Sequence, residues 1–347
     1  MGKILLNGVG RIGKAILQIF LKHSNYSIVA INEKISNIDN IAYSINYDST
    51  YGKLEDKFKV CDNSIENSCC KIDIFNYSSL ENFDFKKYNI DYIIDASGSK
   101  IEIESFKKLS VKNIFLTHPN KEADINLILG VNEQKVDLKK DKIISTSSCN
   151  ATALLPLLKI IDENYGISCG DIATIHPFLN HQKVLDSGCV ASFDRDIECN
   201  FEFGRSSTQN IIPSGTTTVT ACSYVMDKIS SDILTSNSFR VPTVTVGAIN
   251  VTLFTQKSVD NTKLKNILDN IQSNQKFKVI RNSYEPLVSS DFSKCEYTTI
   301  IDHRFTDIKN GKMVKFVLWY DNEWGYASKV VDIVNLIKRK NCENNSK

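Results

Sequence analysis

The sequence predicts an α/β protein in which a domain built on a parallel sheet precedes an α+β domain with a mixed sheet. Three observations lead to this prediction. A strand pattern, a glycine-rich turn and a helical pattern follow one another over residues 3–21. Further strand patterns alternate with helical patterns up to residue 146, and such alternation is typical of a doubly wound parallel sheet. Beyond residue 150 the strand-like runs are longer, as at residues 241–254 and 313–320, and helices lie between them.

The length of the chain also indicates two domains. A single hydrophobic core rarely grows beyond about 250–300 residues, and this chain has 347. We expect the first domain over residues 1–148 and the second over residues 149–321. A helical pattern over residues 322–340 is expected to pack back on the first domain, and residues 341–347 to fray. Residues 187–207 are polar and weakly periodic, and a loop this long is usually functional or disordered.

The composition excludes several classes of protein. Its 42 basic and 40 acidic residues are well mixed, so no basic block indicates a nucleic-acid partner. No apolar run reaches the roughly 18 residues of a membrane span, and no signal peptide precedes the first strand, so we expect a cytoplasmic protein. Ten cysteines at irregular spacings, without a C-x-x-C pair, indicate neither a disulfide framework nor a metal site.

The glycine-rich turn has the form G-x-G-x-x-G, with glycines at Gly8, Gly10 and Gly13. The strand before it, the helix after it and a second strand over residues 26–33 stand where a Rossmann-type dinucleotide-binding unit needs them. Small residues let the backbone approach a pyrophosphate at the helix N-terminus. The second strand ends at Glu33, 20 residues after Gly13, where a carboxylate can accept from ribose hydroxyls. The alternative is a tight surface turn followed by a solvated acid.

Two further buried strands, over residues 91–98 and 112–117, fit the same parallel sheet. Ligands of such sheets bind outside the carboxyl ends of the strands. A strand over residues 142–146 leads into Cys149, and we expect it to bring the thiol toward the cofactor crevice.

Cys149 and His176 are the candidate reactive pair. A helical pattern over residues 154–161 follows the cysteine, and a helix N-terminus lowers the pKa of a thiol and favours thiolate. His176 ends a short apolar run 27 residues later, where its imidazole can act as the adjacent base of a cysteine nucleophile. The alternative is a buried inert cysteine and an unrelated histidine.

Several collinear segments carry a resemblance to a known family. They are N-G-V-G-R-I-G at residues 7–13, Y-D-S-T-Y-G at 47–52, S-C at 148–149, His176, Q-N-I-I-P at 209–213, F-R-V-P-T at 239–243 and W-Y-D-N-E-W-G-Y at 319–326. On these residues the chain resembles the glyceraldehyde-3-phosphate dehydrogenase superfamily, including its erythrose-4-phosphate dehydrogenase branch. The segments span nearly the whole chain, and the final octet is the most specific of them.

The resemblance implies a two-step oxidation with NAD as the cofactor. Cys149 attacks an aldehyde to form a thiohemiacetal, and His176 takes the hydroxyl proton while hydride passes to nicotinamide. Phosphate or water then cleaves the thioester. Arg240 matches the arginine that binds the substrate's phosphate, and Asn322 matches the residue that orients the nicotinamide carboxamide. The family is typically a homotetramer, in which the loop at residues 187–207 reaches toward a neighbour's cofactor.

The expected binding residues follow from the same resemblance. Those for substrate and phosphate are Ser148, Asn150, Thr216, Thr217 and Arg240. Those for the cofactor are Asn7, Gly8, Gly10, Arg11, Ile12, Gly13, Glu33, Ser97, Thr117 and Asn322. No metal is expected.

The chain departs from the family pattern around the substrate. Asn150 stands where the family has a threonine that lends a hydroxyl to inorganic phosphate, and Thr217 stands where a glycine is usual. Leu179 replaces a threonine that binds the substrate's phosphate in the glycolytic enzymes, whereas the erythrose-4-phosphate branch is apolar there. His181 replaces an acid of both branches, and the loop over residues 186–209 is several residues longer than usual. These changes leave the identity of the aldehyde open.

The leading interpretation is a glycolytic enzyme that oxidises glyceraldehyde 3-phosphate to 1,3-bisphosphoglycerate with NAD and inorganic phosphate. Two alternatives stay open. One is an erythrose-4-phosphate or related sugar-aldehyde dehydrogenase, which would hydrolyse the thioester. The other is a binding paralogue with weak catalysis. In each case we expect a homotetramer without a nucleic-acid or membrane partner.

Overall fold

The computed structural model describes residues 2–23, 26–34, 36–99, 102–188 and 201–345. The chain divides into two compact units. The first comprises Met1–Asn126, Lys135–Thr146 and Ala327–Lys347, and the second comprises Leu127–Gln134 and Ser147–Tyr326. Compared with the predicted domains, Leu127–Gln134 groups with the second unit, where Lys159 Nζ donates to the Val131 carbonyl at 2.9 Å.

The first unit is built on parallel strands with helices between them. Its elements are β1 (Gly2–Asn7), α1 (Arg11–His23), β2 (Tyr26–Asn32), α2 (Ile38–Asn46), β3 (Tyr47–Asp48), β4 (Gly52–Lys53), β5 (Lys59–Cys61), β6 (Ser64–Glu66), β7 (Lys71–Phe75), α3 (Phe85–Tyr88), β8 (Tyr92–Asp95), α4 (Ile103–Lys108), β9 (Asn113–Leu116), β10 (Ile125–Asn126) and β11 (Ile143–Ser145). Strands β3 and β4 form a separate hairpin.

The nine-stranded sheet has the order β10-β11-β9-β8-β1-β2-β7-β6-β5. The pairs from β10 to β7 are parallel, and only β6 and β5 continue it antiparallel. The central strand β1 is apolar on both faces because helices cover both, and Ile4, Leu5 and Leu6 are fully buried. At its carboxyl end Asn7 pairs in register with Asn32 and Asp95. This arrangement gathers the predicted cofactor residues at one edge and confirms the α/β fold.

The second unit combines a long buried helix with a mixed sheet. Its elements are α5 (Cys149–Tyr165), β12 (Ile167–Pro177), β13 (Ile212–Ser214), α6 (Thr218–Ser223), β14 (Leu234–Val241), β15 (Gly247–Thr255), α7 (Asn261–Asn274), β16 (Ile280–Ser283), β17 (Thr299–Asp302), β18 (Asp307–Lys309) and β19 (Met313–Tyr320). The last helix of the chain is α8 (Trp324–Asn345).

The sheet of the second unit has the order β13-β14-β12-β15-β19-β17-β16, with β18 on β19. Strand β12 pairs with β14 in parallel and with β15 antiparallel, so the sheet is mixed as predicted. The parallel pair sets His176 beside Arg240. Helix α5 lies against this sheet, and Thr299 Oγ1 donates to the Ala153 carbonyl at 2.8 Å.

The strand predicted over residues 241–254 is interrupted. Strand β14 ends at Val241 and β15 begins at Gly247, because the chain turns between them. Val246 has a φ of 65°, a rare conformation for a β-branched residue, and its N–H donates to Asn322 Oδ1 at 3.1 Å. The predicted strand over residues 313–320 is present as β19.

Two other predictions concern the last helix and the long loop. The last helix begins at Trp324 instead of residue 322, because Asp321 Oδ1 accepts from the N–H groups of Glu323 and Trp324 and caps it there. It also continues past residue 340 to Asn345. Most of the loop predicted over residues 187–207 lies outside the described residues. No helix in the described ranges is long and apolar enough to cross a membrane.

Candidate active site

Cys149 stands at the start of α5, immediately after a tight turn. Ser147 has a φ of 60°, and its carbonyl accepts from the Tyr326 hydroxyl at 3.0 Å. Ser148 then caps the helix, because its Oγ accepts from the Ala151 N–H at 3.2 Å. Cys149 is therefore the first helical residue, as its sequence context predicts, and its side chain is partly exposed.

His176 faces the thiol from the end of β12. Its Nε2 lies 3.9 Å from Cys149 Sγ, and its Nδ1 lies 2.7 Å from the Pro177 carbonyl oxygen. A carbonyl can only accept, so Nδ1 carries the hydrogen and Nε2 carries a lone pair. The structure thus brings the predicted pair together with the basic nitrogen turned toward sulfur.

The surroundings of the pair favour the neutral form of both members. Burial raises the pKa of Cys149 to about 11, against a smaller opposite effect of Arg240. Burial, with Arg240 adding repulsion, lowers the pKa of His176 to about 3. The raised pKa of Cys149 runs against the expectation of a thiolate favoured by the helix N-terminus, because the protein around the sulfur disfavours charge more than the helix end stabilises it. A neutral imidazole is nevertheless the form that can accept a proton.

Arg240 is the charged group of this site. It occupies the position of β14 opposite His176, and its Nε is buried without a hydrogen-bond partner in the part of the chain that the structure describes. Burial lowers its pKa, and no carboxylate of the described residues forms an ion pair with it. A buried cation without a counter-ion is suited to an anionic ligand.

Asn150 does not present its amide outward. Its Oδ1 accepts from the Tyr320 hydroxyl at 2.6 Å and lies 3.6 Å from Cys149 Sγ, while its Nδ2 donates to Thr218 Oγ1 at 3.1 Å. Thr218 in turn lies 2.6 Å from Thr216 Oγ1. The structure therefore places Asn150 and Thr216 in one row of hydrogen bonds. These contacts use the Asn150 oxygen and one of the two hydrogens of its NH2 group, so direct phosphate binding by Asn150, predicted from its place after the cysteine, stays a prediction.

The other predicted substrate residues differ in exposure. Thr217 is exposed at the start of α6 and makes no capping hydrogen bond there. Leu179 is half-buried, and its N–H donates to Gln182 Oε1 at 2.7 Å. His181 is exposed, and its ring lies 5.8 Å from that of Phe203. Leucine has no hydrogen-bonding side chain, so the loss of a phosphate donor at position 179 stays a prediction.

The side-chain amide of Asn322 is held by hydrogen bonds to its oxygen. Oδ1 accepts from the Val246 N–H at 3.1 Å and from the Thr245 hydroxyl at 3.4 Å. The NH2 group has no acceptor among the residues that the structure describes, so it is available to a ligand carbonyl. The left-handed backbone at Val246 is part of this support, because it turns the N–H toward the amide.

In the first unit, the glycine turn leaves room that side chains would fill. A Cβ on Gly8 would lie 2.6 Å from the backbone of Ser97, and one on Gly13 would lie 2.1 Å from the Gly8 carbonyl oxygen. Gly10 has nothing within 4 Å of a Cβ, and its carbonyl accepts from the Lys14 N–H at 2.9 Å to open α1. This backbone fits a pyrophosphate at the start of α1, as the motif predicts.

Glu33 follows β2 and reaches the glycine turn. Its Oε2 accepts from the Val9 N–H at 3.0 Å, so the carboxylate supports the turn, and its binding of ribose hydroxyls stays a prediction. Arg11 is occupied elsewhere: its guanidinium pairs with Asp48 and lies 5.3 Å from the Tyr51 ring. Arg11 and Ile12 can therefore serve a cofactor through their backbone N–H groups at the helix start.

Asn7, Ser97 and Thr117 converge on Asp95, at the end of β8. Asp95 Oδ1 accepts from Asn7 Nδ2 at 2.6 Å and from Ser97 Oγ at 2.9 Å. Its backbone carbonyl accepts from Thr117 Oγ1 at 2.9 Å. Burial raises the pKa of Asp95 to about 6, so this carboxyl is less acidic than usual.

Several residues that support the site are not among those predicted from the sequence. Asp95 organises the cofactor side, Asp48 holds Arg11, and Tyr320 and Thr218 hold Asn150. Tyr320 belongs to the octet at residues 319–326 and Thr218 to the threonine run at residues 216–218, so both were visible as part of a motif. Nothing in the pattern around Asp95 distinguishes it from an ordinary strand end. Within the described ranges, no group of three or more His, Cys, Asp or Glu side chains could hold a metal ion.

Comparison with known proteins decides the family. A family model described as the NAD binding domain of glyceraldehyde 3-phosphate dehydrogenase matches residues 2–102, and its C-terminal domain model matches residues 148–322. The chain belongs to the glyceraldehyde-3-phosphate dehydrogenase family. The NAD-binding model covers the glycine turn, and the C-terminal model covers Cys149, His176 and Arg240.

Named relatives extend over almost the whole length of this family member. Glyceraldehyde-3-phosphate dehydrogenase 1 of Kluyveromyces marxianus is 32% identical over 337 residues, which is 96% of this chain and 99% of the relative. The enzyme of the same name from Kluyveromyces lactis has the same identity and coverage. Glyceraldehyde-3-phosphate dehydrogenase 2 of Staphylococcus aureus (strain MRSA252) is 31% identical over 338 residues, 96% of this chain and 95% of the relative.

Proposed function

We propose that the protein is an NAD-dependent, phosphorylating glyceraldehyde-3-phosphate dehydrogenase of glycolysis. The observation that carries the proposal is the grouping of Cys149, His176 and Arg240. A thiol lies 3.9 Å from a basic imidazole nitrogen, and beside that imidazole in the sheet stands Arg240, whose buried Nε has no hydrogen-bond partner among the described residues. This combination suits an aldehyde that carries a phosphate.

The neutral pair sets the order of proton transfers. As the Cys149 sulfur bonds to the aldehyde carbon, His176 Nε2 takes the thiol proton and the carbonyl oxygen becomes an alkoxide. The imidazolium then protonates that oxygen to give the thiohemiacetal and becomes neutral again. In the oxidation step His176 takes this hydroxyl proton back. Bound NAD supplies the hydride acceptor.

The thioester is then exchanged for a new acyl bond. Phosphate attacks its carbonyl carbon, the carbon–sulfur bond breaks and the Cys149 sulfur leaves, receiving a proton from His176. The product is an acyl phosphate. Arg240 neutralises phosphate charge in this step or in substrate binding.

The binding roles are proposed by the same reasoning. Arg240, Ser148, Thr216 and Thr217 are assigned to phosphate groups. The cofactor residues are assigned by position: Asn7, Gly8, Gly10, Arg11, Ile12, Gly13, Glu33, Ser97 and Thr117 in the first unit, and Asn322, with its available NH2 group, for the nicotinamide carboxamide. The NAD-binding domain is proposed to comprise residues 1–148 with the helix over 322–340, and the catalytic domain residues 149–321.

Measurements of NADH formation with and without inorganic phosphate test the activity. Glyceraldehyde 3-phosphate with NAD should produce NADH continuously in the presence of inorganic phosphate, and about one NADH per site in its absence. Cys149→Ser should abolish both signals while leaving the melting temperature unchanged, and His176→Asn should slow the acylation step by roughly 10²–10⁴-fold. Cys169→Ser, which changes an exposed cysteine of β12, is the matched control. Wild-type protein without an NADH burst would contradict the proposal and favour a binding paralogue.

Erythrose 4-phosphate is a second candidate substrate, favoured by one observation. Leu179 offers no hydrogen bond where the glycolytic pattern has a threonine, and the erythrose-4-phosphate branch is also apolar there. A panel of phosphorylated aldehydes, with and without inorganic phosphate, separates the two. A higher kcat/KM for erythrose 4-phosphate, with turnover that does not need phosphate, would replace the first proposal by the second.

We further propose that the protein is a cytoplasmic homotetramer. Light scattering after size-exclusion chromatography should then give about four times the 39.1-kDa mass of the chain. A monomeric mass at micromolar concentration would contradict this assembly.

A further inference from the structure

Asn150 lies at the centre of a buried row of hydrogen bonds that begins at the reacting thiol. Its Oδ1 is 2.6 Å from the Tyr320 hydroxyl and 3.6 Å from Cys149 Sγ. Its Nδ2 is 3.1 Å from Thr218 Oγ1, which is 2.6 Å from Thr216 Oγ1. Tyr320 and Thr218 are each only 1% exposed and Asn150 9%, so water does not compete for these contacts. The row connects the thiol with Thr216 without a gap.

The row has a direction, which follows from counting hydrogens. Burial raises the pKa of Tyr320 well above its ordinary value, so the phenol keeps its proton and donates to Asn150 Oδ1. Asn150 Nδ2 can only donate, so Thr218 Oγ1 accepts from it.

The hydroxyl of Thr218 donates its hydrogen toward Thr216. Thr218 is buried, and Thr216 Oγ1 is the acceptor that the described residues offer it. The Thr218 N–H also points to Thr216 Oγ1, at 3.3 Å. Thr216 therefore accepts twice, and its own hydroxyl hydrogen is directed away from the row. Thr216 is only half-buried, so that hydrogen can reach a ligand.

We propose that Asn150 is a positioning residue that orients the Thr216 hydroxyl as a donor to a phosphoryl oxyanion. An amide has its acceptor and its donor on different atoms, so it fixes the direction of the row, whereas a hydroxyl at position 150 would rotate. Successive hydrogen bonds also polarise one another, which strengthens the last donor. The inference rests on the proposed function only for the source of the phosphoryl group, which is either the substrate or inorganic phosphate.

Thr218→Val tests the direction by the sign of its effect. Valine has the shape of threonine without the hydroxyl, so the row is cut next to Thr216. The dissociation constant of inorganic phosphate is measured from its protection of Cys149 against iodoacetamide, which needs no turnover. In the proposed direction the variant loses the support of Thr216, and phosphate should bind about fivefold more weakly, as for one lost neutral hydrogen bond. In the opposite direction the variant would release the Thr216 hydrogen, and phosphate would bind more tightly.

Three variants complete the experiment. Thr218→Ser keeps the hydroxyl and should restore wild-type protection. Thr220→Val makes the same replacement at an exposed position of α6 and should change nothing. Tyr320→Phe cuts the other end of the row and should weaken protection in the same sense as Thr218→Val.

Glycerol 3-phosphate, which has no aldehyde, is the second ligand in the protection assay. If Thr218→Val weakens protection by glycerol 3-phosphate alone, Thr216 binds the substrate's phosphate. If it weakens protection by inorganic phosphate alone, Thr216 binds the attacking phosphate. Unchanged or tighter binding of both in Thr218→Val, or no protection of the wild type by either, would overturn the proposal. A wild type that is protected but oxidises no aldehyde would contradict the proposed function and leave the inference standing.

Discussion

His176 is 4% exposed and has the Arg240 guanidinium as a neighbour, and both circumstances oppose protonation of its ring. Its pKa in the folded protein is lowered to about 3 from an ordinary value of 6.5. In the unfolded chain the imidazole takes up a proton below about pH 6.5. The stability that depends on neutral His176 is therefore complete above pH 6.5 and is lost as the pH falls toward 3.

We predict that the free energy of unfolding of the wild type falls by about 2 kcal/mol more than that of His176→Asn between pH 7 and pH 5. Asparagine does not titrate, so the difference between the two proteins isolates this imidazole from other acid effects. Urea unfolding at the two pH values measures it. Identical pH dependence in both proteins would show that His176 is not buried in its neutral form.

Glu33 has one observed contact and one predicted role, and substitution can separate the two. Its carboxylate accepts from the Val9 N–H, and a 2′-phosphate beside it would be repelled. We predict a preference for NAD over NADP of at least about tenfold, or about 1.4 kcal/mol. Glu33→Gln keeps an acceptor for Val9 and should narrow the preference by improving NADP, whereas Glu33→Ala should also weaken NAD. Fluorescence titration with both cofactors is the measurement, and a wild type that binds them equally would refute the role of the charge.

Leu179 stands where the family resemblance places a threonine that binds the substrate's phosphate, and a substitution can test that placement. We predict a high KM for glyceraldehyde 3-phosphate in the wild type, and a decrease of about tenfold in Leu179→Thr at unchanged kcat, because one hydrogen bond to a charged group is gained. Leu179→Val has the shape of the threonine variant without its hydroxyl and should behave as the wild type. A wild-type KM already in the low micromolar range, unchanged by the threonine, would remove the basis for this role.

At the scale of elements, the turn before α1 shows why three glycines are not equivalent. Gly13 lies against the Gly8 carbonyl oxygen, with only 2.1 Å for an added Cβ, whereas Gly10 has open space. We predict that Gly13→Ala lowers stability by roughly 1–3 kcal/mol through overpacking and that Gly10→Ala leaves the melting temperature nearly unchanged. Thermal unfolding of the two variants checks this. A melting temperature of Gly13→Ala as high as that of Gly10→Ala and the wild type would mean that the turn tolerates a side chain at its closest point.

Pairing of strands also explains how the catalytic groups meet. His176 and Arg240 are 64 residues apart in sequence, yet the parallel register of β12 and β14 makes them neighbours. The break between β14 and β15, at Val246, supplies the N–H that holds Asn322. Regular strands carry the reacting side chains, and an irregular turn carries the support of the predicted cofactor contact.

At the scale of the whole molecule, the two units hold different parts of the chemistry. The first contains the glycine turn and the polar groups around Asp95, and the second contains Cys149, His176, Arg240 and the Asn150 row. Each has its own sheet, which is parallel from β10 to β7 in the first unit and mixed in the second. The two family models match the chain in the same order.

The sequence by itself determined the α/β class, the glycine turn, the reactive pair and the family. These depend on local signals: hydrophobic periodicity, glycine spacing and short motifs, all of which a linear chain displays. It also indicated that the residues around the substrate are unusual, because Asn150 and Leu179 depart from a known pattern.

Only the tertiary structure decided the state of those residues. Asn150 meets Tyr320 across 170 positions of sequence, so no local pattern reveals that its Oδ1 already accepts a hydrogen bond. The charge of Cys149 and His176 depends on how much protein surrounds them, and burial reversed the thiolate expectation drawn from the helix N-terminus. Asp95 can accept from Asn7 and Thr117 because β1, β8 and β9 end at the same edge of the sheet. Long-range packing sets desolvation and hydrogen-bond partners, and these are the quantities that a sequence pattern does not contain.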